Sequence, residues 1–188
     1  MNIKTAKFIK GVVGPDEIFD DEKPQVAFIG RSNVGKSSTI NALTKTPGLA
    51  RTSSFPGRTQ ELNVFLINKS FYLVDLPGYG FTKTSRESRE RLQKLIYWYL
   101  LDSHYQQKKV VLIIDAKVGL TDDDKKMLIS LEDHKKDVIV IANKIDKLKK
   151  TEYEAKLHAI RDSVGKYRVI PFSAEKKIGI RNLTNEIL

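Results

Sequence analysis

Gly30-Arg31-Ser32-Asn33-Val34-Gly35-Lys36-Ser37 follows the apolar run Val26-Ala27-Phe28-Ile29 and leads into Ser38-Thr39-Ile40-Asn41-Ala42-Leu43. The first run reads as a buried strand and the last as a helix, so the eight residues between them form a strand–turn–helix. Such a turn aims several backbone N–H groups, and the positive end of the helix, at one point where a phosphate binds. Gly30 and Gly35 admit the turn without a Cβ clash. The pattern G-x-x-x-x-G-K-[ST] adds Lys36, which reaches the β- and γ-phosphates, and the Ser37 hydroxyl, a ligand for Mg²⁺. Arg31, Ser32, Asn33, Val34 and Ser38 complete the candidate nucleotide-binding residues of this loop. The expected fold is α/β, a three-layer phosphate-loop domain with a mostly parallel sheet and helices on both faces.

Asn143-Lys144-Ile145-Asp146 follows Val138-Ile139-Val140-Ile141-Ala142, a second fully apolar strand. It therefore falls at a strand's carboxyl end, where open α/β sheets bind ligands. A carboxylate there accepts from both the N1–H and the 2-amino group of guanine. Adenine has no matching donors, and a desolvated Asp146 would be left unpaired against it. Asn143 is expected to tie the base loop to the phosphate loop, and the Lys144 stem to cover the face of the base. Ser173-Ala174-Glu175, after the strand Arg168–Phe172, offers the Ala174 N–H to guanine O6.

Two more segments fall between these in order. Asp75-Leu76-Pro77-Gly78 ends the strand Phe71–Val74. Asp75 is expected to hold Mg²⁺ through a water, and the Gly78 N–H to sense the γ-phosphate. Phe55-Pro56-Gly57-Arg58-Thr59-Gln60 lies before the strand Leu62–Leu66, with Gly57 and Thr59 as candidate nucleotide contacts. The Thr59 hydroxyl would complete the Mg²⁺ shell while the γ-phosphate is present; Thr52, Ser53 and Ser54 are its rivals. Such segments order on GTP and relax after hydrolysis. Lys36, Thr59 and Gly78 are the candidate catalytic residues.

This constellation resembles the small GTPases over nearly the whole chain. Within them it is similar to the EngB-type ribosome-biogenesis GTP-binding proteins of the TrmE–Era-like class. The resemblance rests on Gly30–Ser38, on Pro56-Gly57-Arg58-Thr59-Gln60 and on Asp75-Leu76-Pro77-Gly78-Tyr79-Gly80. It implies a cytoplasmic, monomeric GTPase that uses GTP/GDP and Mg²⁺ and acts in assembly of the large ribosomal subunit, with rRNA and ribosomal proteins as partners. The class includes members that bind K⁺ between the phosphates. Asn33 is the candidate K⁺ ligand here, the ion standing where an arginine finger would place its charge.

At 188 residues the chain is the length of one domain, read as 1–188 with residues 1–22 an N-terminal extension packed on it. Met1–Lys10 reads as an extra edge strand. Cysteine is absent, which excludes disulfides. Apolar runs are strand-sized and there is no lipidation motif, so no stable membrane association is expected. His104, His134 and His158 are scattered among polar residues and do not suggest a metal site. The 33 Lys+Arg against 23 Asp+Glu leave a net charge of +10, which favours polyanions in a salt-dependent way. The excess gathers at Lys4, Lys7 and Lys10; at Arg86, Arg89, Arg91 and Lys94; at Lys147, Lys149 and Lys150; and at Lys176, Lys177 and Arg181. Together these clusters suggest an RNA-facing surface.

Leu62–Ile67 and Phe71–Val74, joined by Asn68-Lys69-Ser70, predict an antiparallel pair in the otherwise parallel sheet. Thr84 with Glu87, Thr121 with Asp124, and Thr151 with Glu154 predict helix caps. Leu92, Leu95, Ile96 and Tyr99 lie at helical spacing and read as core; Tyr97 and Trp98 read as half-buried beside them, with stacking on RNA bases beside Arg91 and Lys94 the alternative. Many GTPases carry a glutamine after D-x-x-G to orient the attacking water. Tyr79 stands there instead, and Gln60 is a poor substitute. Hydrolysis by the chain alone is therefore expected to be slow, on the order of 10⁻⁴ to 10⁻³ s⁻¹. A signalling switch that acts on protein effectors without RNA is the alternative reading.

Overall fold

The structure, a computed structural model, describes residues 2–50, 61–80 and 85–188. Strands β1 (Ala6–Val12), β2 (Gln25–Gly30), β3 (Leu62–Ile67), β4 (Phe71–Asp75), β5 (Gln107–Asp115), β6 (Val138–Asn143) and β7 (Arg168–Pro171) form one sheet. Their order is β1-β3-β4-β2-β5-β6-β7. β3 runs against both of its neighbours, so the expected β3–β4 hairpin is joined by a second antiparallel pairing with the N-terminal edge strand. The other pairings are parallel.

Helices α1 (Lys36–Thr44), α2 (Arg86–Tyr97), α3 (Asp122–Asp133), α4 (Lys150–Val164) and α5 (Ile180–Ile187) cover both faces. Alternation along each strand decides which face a side chain meets. Ala27, Leu112 and Val140 pack with Leu95, Met127 and Leu157 of α2, α3 and α4. Phe28, Ile113 and Ile141 pack on the opposite face with Ile40, Leu43 and Leu183 of α1 and α5. Strands covered on both sides lose their polar alternation, which is why β2 and β6 are buried throughout.

β2 is hydrogen-bonded to β4 on one side and β5 on the other. The chain fills the first side and then crosses to the second, so the sheet's topological switch point falls at the end of β2. Crevices at such points receive ligands in open α/β sheets.

Residues before β2 contribute to the packing. Val12 and Phe19 are buried, and Lys10 pairs with Asp16 at 2.7 Å. Phe19 stacks at an angle on Tyr99 and Tyr105. Tyr97 and Trp98 are partly buried against the same core, as their helical register suggested. The turn that follows α2, Trp98–Asp102, is wound more widely, and the Ser103 N–H donates to the Trp98 carbonyl at 2.7 Å.

Caps agree with sequence at one helix in three. Thr121 and Asp124 make the full reciprocal capping box on α3. At α2 the cap is Ser85, whose hydroxyl accepts from the Ser88 N–H; the expected Thr84 lies outside the described residues. At α4 Lys149 holds the cap position without a side-chain bond, and Thr151 lies inside the first turn. A threonine with an acid three residues on marks a cap only where the preceding backbone is extended, which sequence spacing does not report.

Truncating Leu112, wholly buried at the centre of β5, to alanine is expected to cost about 2–5 kcal/mol of stability. Denaturant unfolding measures it; a loss below 1 kcal/mol would contradict the packed central strand.

Candidate functional site

The phosphate loop leaves β2 and enters α1 with Gly35 at φ 100°, a conformation glycine adopts without strain. A Cβ on Gly35 would stand 2.3 Å from Asn143 Nδ2. Through that opening Asn143 donates to the Val34 carbonyl at 2.8 Å. The expected tie between the two loops is thus a direct hydrogen bond, with Asn143 itself only 2 % exposed.

Lys36 folds back over its own loop, its ammonium 3.3 Å from the Gly30 carbonyl. Ser37 donates to Asp75 Oδ2 at 3.0 Å. Asp75 Oδ1 is buried and has no hydrogen-bond partner among the described residues. Burial pushes the Asp75 carboxyl up and the Lys36 ammonium down, each countered by the charge of the other. A hydroxyl and a buried carboxylate with an unsatisfied oxygen form a hard-oxygen set, and they fit a hydrated Mg²⁺. No group of three His, Cys, Asp or Glu able to hold a metal occurs among the described residues, so the fit rests on Ser37 and Asp75. Gly57 and Thr59, with the rivals Thr52, Ser53 and Ser54, lie outside the described residues.

The base-side loops converge on the same end of the sheet. A cavity of about 900 Å³ is lined by Gly35, Ser38, Lys144, Asp146 and Ala174, among others. Ser173, buried, donates to Asp146 Oδ1 at 2.5 Å and so aims the carboxylate. Partial burial works against the charge on Asp146. The Ser173 hydroxyl, the residue's own N–H and Lys147 nevertheless hold its carboxyl below the ordinary aspartate range. The Ala174 N–H, expected to face a guanine O6, makes a long 3.4 Å contact to Asn143 Oδ1.

Sequence reasoning missed Asp115 and Asp124. Lys144 donates to Asp115 Oδ2 at 2.8 Å and to the Asn33 carbonyl at 2.7 Å. Its stem thus spans from the base loop to the phosphate loop, and Asp115 fixes its far end. Asp115 stands directly opposite Asn143 in the β5–β6 register. The strand-end rule that singled out Asn143 would have singled out Asp115 too. Asp124 appeared only as a capping acid, yet Tyr79 donates its hydroxyl to Asp124 Oδ1 at 2.7 Å. Burial first, and then the Asp124 charge, push the Tyr79 phenol far above its usual value. The Arg31 side chain lies against Gly80 on this same side of the loop.

Asn33 adopts φ 65° and its side chain is exposed at the loop's rim. Of the basic clusters, Lys4, Lys7, Arg89, Arg91, Lys94, Lys149, Lys150, Lys176, Lys177 and Arg181 are exposed. Others are locally countered: Arg86 by Glu90 and Lys147 by Glu175. No helix among the described residues is long and apolar enough to cross a membrane.

Comparison with known proteins follows this geometry. Residues 25–144 match the family described as 50S ribosome-binding GTPase, and residues 101–188 match the GTP-binding domain of elongation factor Tu. A "probable GTP-binding protein EngB" of Clostridium perfringens strain SM101 is 42% identical over 182 residues, 95% of this chain and 92% of that protein. The protein of the same description from Acholeplasma laidlawii is 41% identical over 188 residues, covering 99% and 97%. A crystal structure of a probable GTP-binding protein engB superposes with a TM-score of 0.72 at 27% identity, over 87% of this chain and 96% of that one.

If Asp146 reads guanine, as its place at the end of β6 suggests, Asp146→Asn puts a donor opposite the 2-amino group of the base. Guanine nucleotide affinity is expected to fall roughly a hundredfold or more, while xanthine nucleotides, with an oxygen at that position, gain. Calorimetric titration with GDP and XDP checks this; an unchanged guanine preference would remove Asp146 from base recognition.

Proposed function

Because the chain belongs to the EngB family of GTP-binding proteins and is a GTPase, we propose that it is a slow GTP-driven switch in assembly of the large ribosomal subunit. The observation that carries this reading is the match of residues 25–144 to a family described as 50S ribosome-binding GTPase. The net charge of +10 supports a polyanionic partner. Exposed Arg89, Arg91 and Lys94 on α2, with Lys4 and Lys7 at the sheet edge, are the residues we assign to rRNA. Such a factor works in the cytoplasm, as a monomer, on the precursor subunit and its ribosomal proteins.

In this reading the backbone amides of Gly30–Ser38 and the Lys36 ammonium hold the phosphates. Asp146, aimed by Ser173, reads the guanine, and Lys144 braces the base loop. Ser37 and Thr59 would hold Mg²⁺ directly and Asp75 through a water. The ion, when bound, neutralises charge on the β- and γ-phosphates. Gly78 senses the γ-phosphate, so that the Asp75–Gly80 and Thr59 segments report which nucleotide is held. Tyr79 has no amide with which to orient water, and its hydroxyl is engaged by Asp124. Catalysis must then be completed from outside, by the ribosomal particle or by a K⁺ ion at Asn33.

Co-sedimentation with purified large subunits tests the partner. Pelleting is expected with a non-hydrolysable GTP analogue, far less with GDP, and to weaken steeply between 50 and 200 mM salt, as phosphate contacts demand. Binding that is weak and indifferent to nucleotide would instead favour a signalling switch acting on protein effectors.

Turnover by the isolated protein is expected on the order of 10⁻⁴ to 10⁻³ s⁻¹, and faster in KCl than in NaCl. Equal rates in the two salts would dispose of the Asn33 ion, and a rate near 1 s⁻¹ would overturn the slow-switch reading.

A further inference from the structure

The segment after Asp75 does not leave the sheet at once. The parallel pairing of β2 and β4 ends at Phe28↔Asp75, yet an isolated bridge resumes it at Arg31↔Tyr79. The Ser32 N–H donates to the Tyr79 carbonyl at 3.0 Å. Gly78 is pressed so close that a Cβ there would stand 2.8 Å from the backbone of Ser32. The γ-phosphate sensor is thus held in backbone contact with the phosphate loop.

What holds it is on the other side. The Tyr79 hydroxyl donates to Asp124 Oδ1 at 2.7 Å. Asp124 is 1 % exposed, and its second oxygen accepts from the Thr121 N–H at 2.9 Å and the Thr121 hydroxyl at 2.7 Å. One carboxylate therefore serves as the capping acid of α3 and as the anchor of the sensor segment. Arg31 Nε and Asp123 Oδ2 flank the next residue, Gly80, at 3.2 and 3.0 Å from where a Cβ would lie.

We propose that Asp124 is a positioning residue for the nucleotide response: through the Tyr79 hydroxyl it latches Gly78 against the phosphate loop, so that the first turn of α3 helps set the preference for GTP over GDP. The physical reason is preorganisation. With the latch closed, the Gly78 N–H needs little ordering to meet a γ-phosphate. With the latch open, that ordering is subtracted from the binding of GTP and leaves GDP, which has no γ-phosphate, unaffected. The latch rests on the reading of Gly78 as the γ-phosphate sensor.

The test compares affinities for a non-hydrolysable GTP analogue and for GDP, each with Mg²⁺, in four variants. Tyr79→Phe removes only the hydroxyl. It is expected to lower the analogue-to-GDP affinity ratio roughly tenfold, the size of a lost hydrogen bond to a charged group, with GDP affinity kept as proof of folding. The double variant Y79F/D124N, which leaves no buried charge without its partner, is expected to match Y79F. Thr121→Ala removes one donor from Asp124 Oδ2 but keeps the Tyr79–Asp124 bond, so it should lower the melting temperature and move the ratio far less than Y79F does. Gly78→Ala tests the sensor itself and should collapse the ratio by more than Y79F does. A ratio unmoved in Y79F while Gly78→Ala collapses it overturns the latch and spares the sensor. A ratio unmoved in Gly78→Ala overturns the sensor reading. Equal shifts in Thr121→Ala and Y79F would overturn the latch, because helix stability alone would then explain both.

Discussion

One amide organises the ligand end of this molecule. Asn143 donates to the Val34 carbonyl across 109 residues of sequence, through the gap that Gly35 leaves by having no side chain. The bond ties the loop before α1 directly to the loop that begins at Asn143. Lys144 repeats the tie a residue later, reaching the Asn33 carbonyl while Asp115 holds it from β5. Both ties need β5 and β6 to end side by side, which the Asp115↔Asn143 register provides. The sheet's order thus matters to the site chiefly because it brings the ends of β2, β5 and β6 together.

Much of this was legible in the residues. Glycine spacing and the run Val26–Ile29 located the phosphate loop because a strand-to-helix turn has few ways to be written. The fully apolar run at β6 located the base loop for a similar reason, as strands buried on both faces admit no polar alternation. What was not legible were the contacts between side chains far apart in sequence. Tyr79 looked like a missing glutamine, but its hydroxyl has a partner on α3 that no spacing rule reveals. Asp124 looked like a cap, and it is one; the role of Oδ1, which accepts from Tyr79, was invisible. The cap expected at Thr151 failed because local spacing competes with where the chain enters the helix.

Charge is unevenly committed. Part of the positive excess is countered nearby, as at Lys10–Asp16, Arg86–Glu90 and Lys147–Glu175. Exposed ion pairs of this kind add little stability, but each reduces the local field that a polyanion would meet. The exposed bases of α2 and the β1 edge therefore matter more to a nucleic-acid reading than the total charge does.

Polar satisfaction separates the parts of the site that change from the parts that stay. Asp124 accepts from three donors on both oxygens and sits in a completed cap, so moving it would strand a buried carboxylate. Asp75 is just as buried but satisfied on one oxygen only, with Lys36 near it as counter-charge. A ligand that brings a hard cation answers Asp75 and leaves Asp124 untouched. The segment Leu76–Tyr79 runs between the two, joined at one end to a carboxylate with one oxygen unpaired among the described residues and at the other to one that is fully satisfied. Any movement of the stretch between these two carboxylates must therefore be taken up in the four residues from Leu76 to Tyr79, and a phenol anchored at their far end limits how far they can travel.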